Sequence, residues 1–164
     1  MMTTTQSPQM SVDGLIAWAR EHAHLGVAVL RAQAFALAER ERVDAYTRPI
    51  FARYGFRVTC EKHPQRGQPV PDHEHLYICD DDRIPAYYAE CAAAHKAHGW
   101  KGDPEHCPAL SADHDRVKAE SALLDAGAKF MGLGHPPYKL ELRAQMLKLM
   151  LGVTLKAAGE MGLV

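Results

Sequence analysis

The chain has 164 residues, 24% of them charged, and a formal net charge of −1 at pH 7. That balance speaks against a nucleic-acid binder working through bulk charge and against a polybasic membrane surface. A chain of this length buries roughly 70% of its extended surface on folding and needs no covalent staples. A single domain over 11–164 is expected.

The N-terminal MMTTTQSPQM is polar. It offers neither the basic n-region nor the apolar h-region of an export signal, and residues 1–10 read as a disordered tail. The longest strongly apolar stretch, Met146 to Leu155, is interrupted by Lys148 and Gly152 and is too short to span a bilayer. The expectation is a cytoplasmic protein without a membrane partner. Its cysteines would serve there as thiols or metal ligands rather than disulfides.

Ser11 or Asp13 can cap a first helix. Leu15, Trp18, Ala19, His22, Leu25, Val29, Ala32 and Ala36 then recur at helical spacing, and Val43, Tyr46 and Ile50 continue the period. Pro49 should kink or break the pattern, and Gly55 should end it. The next segment changes character. Phe56–Cys60 and Leu76–Cys79 are short β-favouring runs around a loop rich in proline, so a two-stranded ribbon or extended loop is expected over 56–80. Asp80 to Asp82 offer caps for a helix with Pro85 in its first turn, passing through Tyr88, Cys91 and His95 to a stop at Gly99. A further helix carries Leu110, Val117 and Leu124 and stops near Gly127. After a turn at Gly132–Pro137, a very apolar last helix spans roughly 138–158. Apolar on nearly every side, it belongs in the core or in a homo-oligomer interface. The fold class is mainly α: an antiparallel bundle of four to five helices with the 56–80 insertion.

All four cysteines and seven of the ten histidines fall between Cys60 and His114. Thiolate and imidazole are the ligands of zinc, copper and iron. Two sets have ligand-like spacing. The first is Cys60-x2-His63 with His75-x3-Cys79, offered by two arms of one loop, with His73 as a substitute. A metal joining the arms would close the loop and turn its binding energy into folding energy. The second is Cys91, His95 and His98, which share one helical face, with His106 and Cys107 brought back by the Gly99–Pro104 turn and His114 further on. Two thiolates with imidazoles suit zinc best. Copper(I) through Cys91 and His95, an iron–sulfur cluster on all four cysteines and haem are lesser options. Each set also has an ordinary reading, with Cys91 as a small core residue and the histidines in water.

Glu21-x-x-His24 has the spacing of a di-iron half-site but lacks a second copy, so an exposed polar pair is expected. In His73-Glu74-His75, extended backbone would point Glu74 away from both histidines. No phosphate loop, dinucleotide fingerprint or nucleophile elbow is present. The arginines of the first helical stretch, Arg20 to Arg57, are offset by Glu21, Glu39, Glu41 and Asp44 and read as a solvated face; a nucleic-acid groove made with Tyr46 and Tyr54 is a minor alternative, and a nucleic-acid partner is not expected. Three functions remain. One is a small zinc-binding helical protein serving as a binding or adaptor module. Another is a metal-free helical protein that self-associates or binds a protein partner. The third is a metal-dependent enzyme with Glu74, Glu90 or Glu105 beside an open coordination position.

Overall fold

The computed structural model describes residues 11–164, so the tail expected over 1–10 lies outside the described residues. The chain is mainly helical. It forms α1 (Val12–Glu21), α2 (Ala23–Tyr54), a 3-10 helix (His73–Ile78), α3 (Ile84–Ala97), α4 (Pro108–Phe130) and α5 (Leu140–Glu160). No strand forms among the described residues, and none of their helices is long and apolar enough to cross a membrane.

Ser11 caps α1, its hydroxyl accepting the Gly14 amide at 3.0 Å. The continuous period then conceals a break. His22 leaves helical geometry (φ −104°, ψ 12°), and its Nδ1 sits 2.9 Å from the Trp18 carbonyl, where its own amide also bonds. Its ring stacks on Trp18 at 4.8 Å. This local side-chain bond competes with the helical ladder, as such bonds do at helix ends. Conversely, α2 runs straight through Pro49, against expectation. Proline removes one amide, but the Ala45 carbonyl left without it belongs to an exposed residue, where water can serve it. The helix ends as expected at Gly55, whose φ of +59° suits glycine. Likewise α3 stops before Gly99 (φ +90°), while α4 passes the expected stop at Gly127 and ends before Gly132 (φ +71°).

The chain divides into two compact units, residues up to Ala36 with Ala112–Val164, and Leu37–Ser111. The core of the first gathers Trp18, Val29, Leu123, Leu124 and Met150. Here α5 buries a single stripe, Met146, Met150, Thr154, Ala157 and Ala158, while Leu142 and Leu149 are exposed. Two glycines set how closely the helices approach. A Cβ on Gly26 would overlap the Thr154 hydroxyl and lie 2.8 Å from its Cβ. Thr154 is fully buried and its hydroxyl donates to the Met150 carbonyl at 2.7 Å. A Cβ on Gly127 would lie 2.8 Å from Met150 Sδ. The glycine at 127 is thus a packing position rather than a helix stop.

The core of the second unit gathers Ile50, Phe56, Val58, Val70, Ile78 and Tyr87. Phe56 lies among Phe51, Tyr54 and Tyr87, with ring centroids 5.2–5.7 Å away. The 56–80 insertion differs from the expected ribbon. The first arm pairs with 67–70: the Val70 amide donates to the Phe56 carbonyl at 2.9 Å and Val58 to Gln68 at 2.9 Å, around one isolated bridge, Arg57–Pro69. The Leu76–Cys79 run lies mostly in the 3-10 helix instead of a strand. Asp72 is the reason. Its carboxylate accepts the Glu74 and His75 amides at 2.9 and 3.2 Å, a cap that starts a helical turn and overrides β propensity.

Gly26→Ala should destabilise the protein by about 1–3 kcal/mol through overpacking. Gly152→Ala, in open space on α5, should be neutral or stabilising by up to about 1 kcal/mol, since glycine is costly inside a helix. Urea unfolding of both variants checks the pair. Equal losses would contradict the close approach at Gly26.

Candidate functional site

The helical set is drawn into the packing of the second unit. Cys91 and His95 are buried on α3. The Tyr46 hydroxyl, on α2, bonds His95 Nδ1 at 2.9 Å, and the Tyr46 ring stacks on His98 at 4.1 Å with planes 5° apart. Arg42 lies 6.0 Å from the Tyr46 ring centroid and donates to the His98 carbonyl at 3.4 Å. Burial pushes the His95 imidazole below its ordinary pKa of 6.5, and the charges of Arg42 and His98 act in the same sense. Cys91 shares a hydrogen bond with Tyr87, and burial pushes both groups up. Cys107, just ahead of α4, is close enough for its charge to act on Tyr46, Tyr87 and Cys91. His106 is exposed, 3.5 Å from Asp103, and His114 is exposed on α4. The predicted common face of Cys91 and His95 is therefore occupied by tyrosines. The contact of Tyr46 with His95 and His98 was missed; its signal for packing was its place in the period of Val43 and Ile50.

The loop set is differently held. Thr59 and Cys60 both donate their amides to the Ile78 carbonyl, at 3.1 and 3.3 Å. This backbone contact brings the Cys60 arm beside the Cys79 arm. The His63 amide closes a turn onto the Cys60 carbonyl at 3.1 Å, and the Cys79 amide bonds the Leu76 carbonyl at 3.0 Å. His75 Nδ1 lies 2.7 Å from Asp72 Oδ1, the contact that holds the Asp72 carboxyl below its usual range. His63 Nδ1 accepts the Gln65 amide at 3.2 Å. Cys60 is exposed and Cys79 buried. Burial pushes the Cys79 thiol up, as does the charge of Asp81, while the Arg57 amide opposes them. Asp81 is itself held down to about 2 by its bond to Arg83. His73 and Glu74 are exposed in the 3-10 helix, where successive residues turn by a third of a circle rather than alternating.

Among the described residues, no three His, Cys, Asp or Glu side chains already surround one point as metal ligands would. All four cysteines are free thiols. Glu21 and His24 are both exposed, and the His24 ring bonds the Glu21 carbonyl rather than its carboxylate. Arg20, Arg42, Arg48 and Arg53 each pair with a carboxylate, in keeping with a solvated face. The turn at Gly132–Pro137 borders an open cavity of about 300 Å³, also lined by Asp125 and Lys129. No family model, curated protein or solved structure matches the chain.

In metal-free protein, Cys60 should react first with a thiol reagent, because it is exposed. Cys79 and Cys91 should lag by at least about tenfold, being buried with raised thiol pKa values. Mass-resolved alkylation checks the order. Cys91 labelling as fast as Cys60 would contradict the packing described.

Proposed function

We propose that the chain is a small zinc-binding helical protein, serving as a binding module, whose metal is held by the 56–80 loop through Cys60, His63, His75 and Cys79. The observation that carries this reading is the pair of amides on the Ile78 carbonyl, which brings the Cys60 arm beside the Cys79 arm. His75 adds support. A ligating histidine ordinarily gives its second ring nitrogen to a carboxylate, which fixes the ring and its tautomer. Asp72 stands in that place, leaving Nε2 for a metal. His63 can join through Nε2 if its ring exchanges tautomer, or through Nδ1 if it releases the Gln65 amide. Closure also requires the Cys79 thiol to leave the core and face Cys60. The binding free energy of zinc at small structural sites, on the order of 10 kcal/mol, is available to offset such local rearrangements.

The helical set is less suited. Its His95 nitrogen is held by Tyr46 and its Cys91 by Tyr87. A second reading, a metal-free module that self-associates through α5, draws on the exposure of Leu142 and Leu149, seven residues apart on one side of that helix. The occupant of that face would be a second copy of the chain, and the melting temperature would then rise with protein concentration.

Elemental analysis of the full chain, purified without chelators, should find close to one zinc per chain. Cys60→Ser, at an exposed position, should abolish it, and Cys91→Ser should leave it in place. Chelation should lower the melting temperature of the wild type and not that of Cys60→Ser. Absence of zinc even after titration, or equal retention in Cys60→Ser, would overturn the proposal.

A further inference from the structure

The cluster the zinc proposal leaves out has a chemistry of its own. Within the second unit, Tyr46 is bonded at its hydroxyl to the buried His95 and stacked at its ring on His98. Both contacts join the later part of α2 to the last turn of α3. We propose that this Tyr46–His95–His98 cluster is an acid-sensitive latch, which holds α3 on α2 at neutral pH and lets go when His95 takes up a proton.

The charges around His95 set the sign. From α2 it meets Arg42 and the Tyr46 hydroxyl, and the carboxylate beside them, Glu39, is already bound to Arg42 at 2.9 Å. From α3 it meets His98 one turn on, with Cys91 one turn back. Ahead of α4 stands Cys107, whose charge acts on Tyr46 and Cys91. Burial pushes the Cys91 thiol up and so favours its neutral form, which offers no charge to a second cation. A proton on His95 would sit, buried, beside the Arg42 guanidinium and the His98 ring. The C-terminal end of α3 favours cations, but it does so chiefly for His98, the exposed cap residue. A neutral His95 can accept the Tyr46 hydroxyl proton at Nδ1, whereas a protonated ring has no acceptor and leaves that hydroxyl to reverse its role.

The linkage follows. The unfolded chain binds a proton at His95 near 6.5, and the folded chain binds it only at lower pH. The latch therefore contributes fully above the unfolded pKa. Its contribution falls as pH drops from there to the folded pKa, by up to about tenfold in the folding equilibrium per pH unit.

The test is a pair of measurements on the full chain. Urea unfolding from about pH 7.5 to about pH 5 should show the wild type losing stability on acidification, with a slope that His95→Gln reduces by up to that tenfold per unit. Should the variant fold poorly, a proton NMR titration of the wild type serves alone. His95 should titrate below 6.5, and the upfield-shifted ring protons of His98 should return to unstacked positions in step with it. A His95 that titrates at or above 6.5, or a His98 stack indifferent to its titration, would overturn the latch. So would an unchanged slope in a folded His95→Gln.

Discussion

Two amides meet on one carbonyl at Ile78, and the organisation of the 56–80 segment depends on it. A loop of this length with no strand pairing of ordinary length must find partners for its backbone groups elsewhere. Thr59 and Cys60 find theirs on Ile78, and Phe56 and Val58 find theirs on Val70, Gln68 and Gly67. The side chains of Phe56, Val58, Val70 and Ile78 can then be buried as one cluster with Tyr87. The same bonds settle which cysteine arms are neighbours. The proposed zinc clip builds on this backbone arrangement, which brings the Cys60 arm beside the Cys79 arm.

The two Cys/His sets differ in what their polar atoms are doing. On α3, the imidazole of His95 and the thiol of Cys91 have tyrosine partners and little contact with water. Binding a metal there would cost buried hydrogen bonds as well as packing, and buried groups stripped of partners are expensive. In the loop, Cys60 is exposed and the bond from Asp72 to His75 is one that metal ligation would preserve. Similar spacing in the sequence thus leads to unlike chemistry. The distinction comes from Tyr46 and Tyr87, whose hydroxyls occupy the helical set.

The mainly helical character was legible because it rests on local terms. The stops at Gly55 and Gly99 and the place of Pro85 at the start of α3 follow from backbone sterics that a few residues determine. What escaped the sequence depended on competition. The break at His22 is made by a ring that bonds the Trp18 carbonyl, within an otherwise unbroken apolar period. Pro49 signals a break that the packing of Ile50 and the exposure of Ala45, whose carbonyl loses its amide partner, override. Leu76-Tyr77-Ile78 favours a strand until Asp72 caps the turn before it. Gly127 reads as a stop, and only the approach of Met150 gives it another purpose. For the candidate site, the clustering of cysteines and histidines between Cys60 and His114 was legible. The partnership of Tyr46 with His95, 49 residues away, was not.

The central claim concerns the donors around a bound metal, and X-ray absorption at the zinc edge counts them directly. The account predicts a four-coordinate shell of two sulfur and two imidazole nitrogen donors, at about 2.3 and about 2.0 Å, in the wild type. A shell of oxygen and nitrogen alone, or a two-sulfur shell that survives Cys60→Ser, would contradict it.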